Sequence, residues 1–425
     1  MKRSVLPSAI NGQVQAPPSK SMVIRLLAAS LLAPGESLIL SPSFCAESLS
    51  ALSVIKQLGA EVQMAPDQWL IRGGFPVEIP LRPGMKLISC GESALTMRLF
   101  APIVALAGQR VKLEAEGTLC IRPMDMLVSP LSQLGVQCET KDGLPPLLVR
   151  GPLRSGWLSL EADRTSQFLS GLLMALPIVP GASEIRVSRL ASRPYVELTV
   201  EVLEKFGIKI DATRDGSGRD YFFIPGAQRY RPGEHQAEGD WSGAAFLLVA
   251  GAIAGRVEVF GLNFDSKQAD KRIIQALSLA GAKVSQEKTR VAVEKADLRA
   301  FEFDASDSPD LFPPLCVLAA CCRGRSRLSG ARRLAFKESH RAQTLASELT
   351  KVGVRIFSDG EALIIEGAAV RGGSPDSHGD HRIAMACALA GLVSKEGIEL
   401  NGWEAVNKSY PEFFNHLASL GGKWK

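Results

Sequence analysis

The sequence predicts an α/β protein built from six similar units, because two glycine-centred patterns recur along the chain with one period. In the first pattern a helical stretch ends at a glycine and a strand-like run follows, as in "LEKFGIKI". A second series of the same kind, as in "IVPGASEIRV", alternates with the first. The glycines of the first series, 68 to 76 residues apart, are Gly59, Gly135, Gly207, Gly281, Gly353 and Gly421. Those of the second series, 69 to 74 residues apart, are Gly35, Gly108, Gly181, Gly255, Gly324 and Gly397.

A unit of this length contains two helices that alternate with strands, which is the pattern of a βαβα-type repeat. The 425 residues accommodate six such units and exceed what a single core usually contains, so we expect two similar lobes of three units each. Hydrophobic residues make up 46% of the chain and charged residues 22%, as in compact globular proteins.

Composition argues against several other classes of protein. Long uncharged runs, such as residues 246–255, are shorter than the roughly 18 apolar residues of a membrane-spanning helix. Pro7 and Asn11 interrupt the N-terminal segment before an apolar signal-peptide core, so we expect a cytoplasmic protein that does not enter the membrane. The eight cysteines form no CxxC pair, which indicates reduced thiols. A net charge of +5 without a long basic run favours small anions over nucleic acid as ligands.

In the first half of the chain, polar and basic residues cluster where predicted helices begin. A helix N-terminus presents unpaired N–H groups and the positive end of the helix dipole, so these clusters favour an anion. Pro123 suits the first position of a helix, which predicts that Arg122 flanks that helix. The candidate anion-binding residues of this half are Lys20, Ser21, Arg25, Arg98, Arg122, Thr165, Ser166, Gln167, Ser192 and Tyr195.

The second half repeats this arrangement and adds carboxylates. Asp310 ends a proline-punctuated loop, and a carboxylate among cations stays ionised and can accept a hydroxyl proton. Lys337 and Arg341 are spaced i, i+4, which predicts one helical face on which an anion contacts both. The sequence contains neither an HExxH motif nor a Cys/His cluster, so no metal is expected. The further candidates of this half are Glu338, Asp380, His381, Arg382 and Lys408.

Several motifs in a fixed order carry a family resemblance. They are "SKSMVIR" (19–25), "TSQFLSGLLM" (165–174), "SRPYVELT" (192–199), "KESHR" (337–341), "DHRIAM" (380–385) and "KSYPEFF" (408–414). On these motifs the chain resembles the 5-enolpyruvylshikimate-3-phosphate synthase family of enolpyruvyl transferases over nearly its whole length. The resemblance implies a two-domain, inside-out α/β barrel-like fold with six βαβαββ repeats, three per domain. Domain I would comprise residues 1–17 and 238–425, and domain II residues 18–237, with the active site in the cleft between them.

The resemblance also implies a reaction and its residues. Members of the family transfer the enolpyruvyl group of phosphoenolpyruvate to the 5-hydroxyl of shikimate 3-phosphate and release phosphate, a step towards chorismate and aromatic amino acids. The implied enzyme is a monomer that uses small-molecule substrates and no cofactor. The implied catalytic residues are Asp310, Glu338, Lys20, His381 and Lys408. Those for shikimate 3-phosphate are Lys20, Ser21, Arg25, Thr165, Ser166, Gln167, Ser192, Tyr195, Asp310, Arg333 and Lys337. Those for phosphoenolpyruvate are Lys20, Ala94, Arg122, Gln167, Arg341, Arg382 and Lys408.

The loop "GESALT" (91–96) departs from the family pattern, which commonly reads GNAGT. Here Glu92 replaces an asparagine, Ala94 a glycine and Leu95 a threonine, while Arg333 and His340 replace a common asparagine and aspartate. The resemblance implies that the herbicide glyphosate occupies the phosphoenolpyruvate pocket beside the residue matched by Ala94. A methyl group there leaves less room for the longer inhibitor, so we expect low sensitivity to glyphosate. Glu92 is expected to weaken anion binding unless a nearby arginine pairs with it.

Two alternatives remain open at this point. A UDP-N-acetylglucosamine enolpyruvyl transferase would share the fold and usually carries a reactive cysteine near Cys120. However, "TLCIRPMDM" lacks the longer glycine-rich loop, which favours a structural, unreactive Cys120. A pseudo-symmetric clamp or nucleic-acid-binding protein would also fit the repeats, but it would spread cations along a surface track. Cations beside hydroxyls at helix starts favour a pocket for small anions instead.

Overall fold

The computed structural model describes residues 2–78, 80–81 and 84–425. The chain folds into two compact units, here called the terminal unit (residues 1–19 and 238–425) and the central unit (residues 20–237). The boundary expected after residue 17 lies two residues before the structural one. Ser19 belongs to the terminal unit, because its N–H donates to the carbonyl of Glu238 at 2.8 Å. Pro18 likewise pairs with Gly239.

The helices and strands of the described residues alternate in the predicted manner. The α-helices are α1 (Lys20–Leu32), α2 (Ala46–Gln57), α3 (Ala94–Val104), α4 (Val128–Gln133), α5 (Gln167–Ala175), α6 (Arg193–Lys205), α7 (Trp241–Ala254), α8 (Ile273–Leu279), α9 (Phe312–Ala320), α10 (Arg341–Lys351), α11 (His381–Val393) and α12 (Phe413–Ser419). The first strands are β1 (Lys2–Leu6), β2 (Ile10–Gln15), β3 (Gly35–Leu40), β4 (Glu61–Met64), β5 (Gln68–Gly73), β6 (Lys86–Ser89), β7 (Arg110–Glu114), β8 (Gln137–Lys141), β9 (Leu144–Arg150), β10 (Trp157–Glu161), β11 (Ser183–Ser188) and β12 (Asp211–Arg214). The remaining strands are β13 (Asp220–Ile224), β14 (Glu234–Gln236), β15 (Gly255–Phe260), β16 (Lys283–Glu287), β17 (Arg290–Glu294), β18 (Glu302–Asp304), β19 (Arg325–Ser329), β20 (Arg355–Ser358), β21 (Ala362–Glu366), β22 (Ile398–Asn401) and β23 (Lys423–Trp424).

Three four-stranded sheets form the central unit, with the orders β14-β3-β5-β4, β6-β7-β9-β8 and β10-β11-β13-β12. Each sheet contains one parallel pair and two antiparallel pairs. In the last sheet, β10 and β11 are parallel, whereas β13 is antiparallel to both β11 and β12. Together with two helices, the second and third sheets form βαβαββ units in chain order, whereas in the first sheet the parallel strand β14 comes from the end of the unit.

The terminal unit repeats this topology in the sheets β16-β17-β15-β2 and β18-β19-β21-β20. Its third sheet, β22-β1-β23, joins both ends of the chain, because β1 pairs antiparallel with β22 and with β23. Parallel bridges from Gly373 to Ile398 and from Asp376 to Asn401 stand where the other sheets have their first strand. The described chain therefore contains three such units in each half of the fold, in agreement with the two glycine series.

The glycines of the first series take the conformation that their position after a helix requires. All six have positive φ, from 77° at Gly207 to 105° at Gly59, a region that is costly for residues with a Cβ. Gly255 of the second series differs, because its φ of 164° is extended. A Cβ at Gly255 would lie 1.9 Å from the carbonyl oxygen of Ile10, so glycine is needed there for the close approach of β15 to β2.

Each unit has its own apolar core, and the first helix of every repeat lies inside it. These helices, α1, α3 and α5 in the central unit and α7, α9 and α11 in the terminal unit, are almost completely buried. Strands such as β11 bury alternate residues and expose the others, so the sheets cover the helices in the expected inside-out manner. Among the described residues, no helix combines the length and the apolar character that spanning a bilayer requires.

Candidate active site

In the central unit, a carboxylate links the beginnings of α1 and α3. Lys20, the first residue of α1, donates from Nζ to Glu47 Oε1 at 3.1 Å. The other oxygen of Glu47 accepts from Ser93 Oγ at 3.1 Å. Ser93 in turn caps α3 by accepting from the N–H of Thr96 at 3.2 Å. Glu47 is only 6% exposed, so this chain of contacts fixes the Lys20 ammonium group at a helix start.

Arg25 of α1 is a buried cation whose hydrogen bonds go to neutral groups. Its Nε donates to Thr199 Oγ1 at 2.8 Å, Nη1 to the carbonyl of Ser21 at 2.8 Å and Nη2 to the carbonyl of Tyr195 at 3.0 Å. Burial lowers the pKa of Arg25 to about 10, although Tyr195 opposes the shift. These neutral acceptors leave the positive charge uncompensated, and an anion nearby would stabilise it.

The segment before α5 places hydroxyl and amide groups at another helix start. Thr165 and Ser166 are buried, and Gln167 begins the helix. The N–H of Gln167 donates to Thr165 Oγ1 at 3.2 Å. The side-chain oxygen of Gln167 accepts from Arg98 Nη1 at 2.9 Å, and Arg98 Nη2 donates to the carbonyl of Pro123 at 2.8 Å. Arg98 therefore connects α3 both to the start of α5 and to the segment after Arg122.

Ser192 precedes α6 with a left-handed backbone, at φ 50°. This conformation is unfavourable for a residue with a Cβ, and residues held in it often lie at ligand sites. Ser192 is buried and Tyr195, in the first turn of α6, is half-buried. The predicted hydroxyl pair therefore lies at a helix start, like Thr165 and Ser166.

The prediction that Pro123 begins a helix is wrong. Short 3₁₀ turns occupy Gly117–Ile121 and Asp125–Leu127, and α4 follows only after them. The N–H of Met124 donates at 2.7 Å to a carbonyl in the β8–β9 turn, which diverts the chain from a helical path. Arg122 lies between the two turns and is buried, so its position is set by this loop rather than by a helix.

The "GESALT" loop is joined to the first of these turns. Glu92 Oε2 accepts from the N–H of Thr118 at 2.8 Å and from its hydroxyl at 3.0 Å. Ala94, the first residue of α3, is 1% exposed. Cys120 is exposed in the turn, and its S–H lies 3.4 Å from the carbonyl of Ala115. That Cys120 is structural and unreactive stays a prediction.

In the terminal unit, three cations converge on the carboxylate of Asp310, which lies in a 3₁₀ turn directly before α9. Oδ1 of Asp310 accepts from Lys337 Nζ at 3.2 Å and from Arg341 Nη1 at 2.7 Å. Oδ2 lies 3.2 Å from Arg382 Nη2, at the start of α11. Three positive charges at this range favour an ionised carboxylate.

Arg341 is fully buried and contacts two further carboxylates. Nε donates to Asp380 Oδ2 at 2.9 Å, and Nη2 donates to Asp380 Oδ1 at 3.2 Å and to Glu338. Burial lowers the pKa of Arg341, but the carboxylates of Asp380, Glu338 and Asp310 outweigh burial and raise it. Arg341 therefore remains a cation that orients three acidic side chains.

The prediction that Lys337 and Arg341 share a helical face is wrong, because α10 begins at Arg341 and Lys337 precedes it with an extended backbone (φ −90°, ψ −165°). Glu338 also lies before the helix. Both cations nevertheless contact one negative group of the chain, the Asp310 carboxylate, and an anionic ligand between them stays a prediction. Burial lowers the pKa of Lys337 to about 8, although Asp310 opposes the shift.

Two more aspartates contact the beginning of α7. Asp240 caps the helix by accepting from the N–H of Gly243 at 3.0 Å. Asp270 is buried and accepts a hydrogen bond from the hydroxyl of Ser242. Burial, together with the negative charge of Asp310, raises the pKa of Asp270 to about 6.

Three further predicted residues lie in the terminal unit. His381 is the first residue of α11 and is 1% exposed. Lys408 Nζ donates to the carbonyl of Gly379 at 2.7 Å, in the loop before α11. Arg333 Nη1 donates to the carbonyl of Ser306 at 2.9 Å, in the loop before α9.

Within each unit many of the predicted residues therefore lie at or just before helix starts, whereas Arg122 and Lys337 lie in non-helical segments. Sequence reasoning missed Glu47, Ser93 and Asp270. Ser93 is a helix-capping residue by type, so its position before an apolar run was a usable signal. Glu47 and Asp270 had no such signal, because their partners lie more than twenty residues away in sequence.

Comparison with known proteins places these residues in a family context. A family model described as EPSP synthase (3-phosphoshikimate 1-carboxyvinyltransferase) matches residues 6–417. A curated 3-phosphoshikimate 1-carboxyvinyltransferase from Methanocorpusculum labreanum is 36% identical, with 99% of each chain covered. Its counterpart from Aeropyrum pernix is 38% identical over 99% of this chain and 95% of its own length.

Solved structures agree with this relationship. EPSP synthase from Acinetobacter baumannii superimposes with a TM-score of 0.83 and 25% identity, covering 100% of this chain and 99% of the other. The enolpyruvyl transferase NikO from Streptomyces tendae gives a TM-score of 0.78 at 17% identity, covering 100% of this chain and 98% of the other, which shows a shared fold.

Proposed function

The chain belongs to the EPSP synthase family, and on that premise we propose that it transfers the enolpyruvyl group of phosphoenolpyruvate to the 5-hydroxyl of shikimate 3-phosphate, releasing phosphate. The observation that carries the proposal is the Asp310 carboxylate with three cations within 3.2 Å. The three cations attract anionic ligands to the position of Asp310. Its carboxylate can then accept a proton from a bound ligand.

The addition step requires two proton movements. In our proposal Asp310 takes the proton of the 5-hydroxyl while the resulting alkoxide oxygen bonds to C2 of phosphoenolpyruvate. Glu338 supplies a proton to C3, which becomes a methyl group in the tetrahedral intermediate. Glu338 is therefore protonated before the addition, and in the elimination its carboxylate takes a proton back from that methyl group as the C2–O bond to phosphate breaks, which forms the enol ether of the product.

The cations of the terminal unit have a second role in this scheme. Anionic substrate groups compete with Asp310 for Lys337, Arg341 and Arg382, so bound substrate leaves the Asp310 carboxylate more able to accept a proton. Arg341 contacts three carboxylates in this structure, and binding of phosphoenolpyruvate requires it to exchange part of those contacts. Lys408 and Arg382 are also proposed to bind phosphoenolpyruvate. His381 precedes Arg382 at the start of α11.

The central unit is proposed to bind the anionic groups of the substrates. Its buried Arg25 and the hydroxyl groups before α5 and α6 suit the shikimate 3-phosphate, because neutral donors and an uncompensated cation favour a dianion. The proposed ligands of shikimate 3-phosphate in this unit are Lys20, Ser21, Arg25, Thr165, Ser166, Gln167, Ser192 and Tyr195. Those of phosphoenolpyruvate are Lys20, Ala94, Arg122 and Gln167. We expect the enzyme to act as a cytoplasmic monomer.

The test is release of inorganic phosphate in the presence of both shikimate 3-phosphate and phosphoenolpyruvate. We expect release to require both compounds and to persist after treatment with a chelator. UDP-N-acetylglucosamine in place of shikimate 3-phosphate is the control for the related transferase activity. Phosphate release with the nucleotide sugar, and none with shikimate 3-phosphate, would overturn the proposal.

A further inference from the structure

The loop of residues 376–379, directly before α11, has no substrate contact in the proposed function. We infer that Glu348 and His378 are positioning residues for Lys408 and act on it through this loop. The inference rests on the proposed function, in which Lys408 contacts phosphoenolpyruvate. It deepens that function by adding a pair of residues that touch no substrate.

Glu348 is a buried carboxylate, 1% exposed, that holds the loop at two points. Its Oε2 accepts from the N–H of Asp376 at 2.7 Å, and its Oε1 accepts from His378 Nε2 at 3.0 Å. Lys351 Nζ also donates to Oε2 at 2.7 Å, from the exposed side of the helix. A carboxylate without water requires such a set of donors, so the loop and the helix stabilise each other.

The helix α10 holds both ends of the segment 376–380. Arg341 and Glu348 are seven residues apart and therefore lie on one face of α10. Arg341 binds the carboxylate of Asp380, while Glu348 binds the N–H of Asp376 and the ring of His378. A shift of this loop would therefore move groups that border the Asp310 cluster.

The backbone conformation of His378 links the contacts of Glu348 to the position of the Gly379 carbonyl. Its φ of 51° lies in the left-handed region, where a residue with a Cβ is found only when surrounding contacts maintain it. The contacts are its N–H to Asp376 Oδ1 at 2.6 Å and its ring to Glu348. The next residue is Gly379, whose carbonyl accepts from Lys408 Nζ at 2.7 Å. The orientation of the Gly379 carbonyl thus depends on how His378 is held.

A fixed acceptor matters for a lysine in particular. The ammonium group is a point charge with three donors at the end of a flexible stem, so it has no preferred position of its own. A carbonyl held by Glu348 and His378 supplies that position. Misplacing a catalytic group by about 1 Å can reduce a rate roughly 100-fold.

The experiment compares steady-state kinetics of the wild type and His378→Asn. Asparagine tolerates the left-handed backbone but is too short to replace the ring contact with Glu348. We expect kcat/KM for phosphoenolpyruvate to fall roughly 10- to 100-fold, with KM for shikimate 3-phosphate unchanged. Lys351→Ala is the matched control, because it removes another donor to the same carboxylate, and we expect it to leave both parameters unchanged. In a Lys408→Ala background, His378→Asn should have no further effect.

The possible results distinguish a failure of the proposed function from a failure of the inference about Glu348 and His378. A wild type that releases no phosphate from the two substrates would overturn the proposed function and this inference with it. An active wild type with normal kinetics in His378→Asn would overturn the inference alone, and so would a lowered melting temperature without a kinetic change. Independent, additive losses in His378→Asn and Lys408→Ala would also overturn it. If His378→Asn does not fold, Glu348→Gln serves as the second variant with the same expected kinetic change.

Discussion

The two units differ in the residues that precede their buried helices. Serines precede the three helices of the central unit, and aspartates precede or cap those of the terminal unit. The serines are Ser19, Ser93 and Ser166, before α1, α3 and α5. The aspartates are Asp240, Asp310 and Asp380, before α7, α9 and α11.

This difference gives the two units different chemistry from one repeated fold. A carboxylate at a helix start compensates the positive end of the dipole and also attracts side-chain cations. A serine brings no negative charge to that positive end, so the end still favours an external anion. The two buried arginines follow the same division, since Arg25 donates to neutral oxygen atoms whereas Arg341 donates to three carboxylates. Lys20 of the central unit is an exception, because it pairs with Glu47. The central unit is therefore suited to binding anions, and the terminal unit to moving protons.

The largest expected effect comes from removing the central carboxylate of the terminal unit. Asp310→Asn should reduce kcat by roughly 10²- to 10⁴-fold, because a positioned general base contributes about that much. Affinity for shikimate 3-phosphate, measured by calorimetry, should change far less. The control is Asp359→Asn, which neutralises a carboxylate paired with Arg327 at 2.7 Å on the surface of the same unit. Equal losses in kcat and in affinity would assign Asp310 to substrate binding. The terminal unit would then not differ from the central unit in the proposed way.

The corresponding change in the central unit is Arg25→Gln. It should weaken shikimate 3-phosphate roughly 10- to 150-fold, because a charge-assisted hydrogen bond contributes about 1.5–3 kcal/mol. Turnover at saturating substrate should fall much less than in Asp310→Asn. Binding is measured by calorimetry, with the exposed Arg72→Gln as the control. An unchanged dissociation constant would show that the buried cation of this unit is structural.

A third change tests the start of α3. Ala94→Gly should increase inhibition by glyphosate, competitive with phosphoenolpyruvate, by roughly 5- to 150-fold, because relieving overpacking recovers about 1–3 kcal/mol. Ala101→Gly, deeper in the same helix, controls for the general loss of helix stability. A variant no more sensitive than the parent would mean that the Ala94 methyl group does not limit the inhibitor.

The smallest effect concerns the pH dependence of the terminal unit. Burial lowers the pKa of Lys337 to about 8, so the ammonium group loses its proton as the pH rises above that value. KM for shikimate 3-phosphate should then increase, by about tenfold one pH unit above the pKa of Lys337. Lys337→Arg should remain charged and abolish the increase, because a guanidinium does not titrate in this range. An unchanged increase in Lys337→Arg would assign the titration to another group.

Much of the fold and part of the site could be predicted, because the relevant signals are local. A glycine directly after a helix predicts a left-handed backbone at that position, independently of tertiary contacts. The φ of 77° at Gly207 confirms this. The residues before α5 and α11 were placed correctly at helix starts for the same reason. Pro123 was misplaced, because a hydrogen bond from Met124 to the β8–β9 turn overrides its preference for a first helical position.

Local sequence patterns predict the repeat, most of the helix starts and the family to which the chain belongs. Which charges meet depends instead on how distant segments pack in the folded chain. Asp310 contacts Arg382 of another repeat, and Lys337 reaches the same carboxylate from an extended segment that was expected to be helical. Capping and turn preferences act over a few residues, whereas an ion pair forms between side chains that packing brings together from distant parts of the chain. The contacts of Glu47 and Glu348 are of this second kind, so no local pattern could have revealed them.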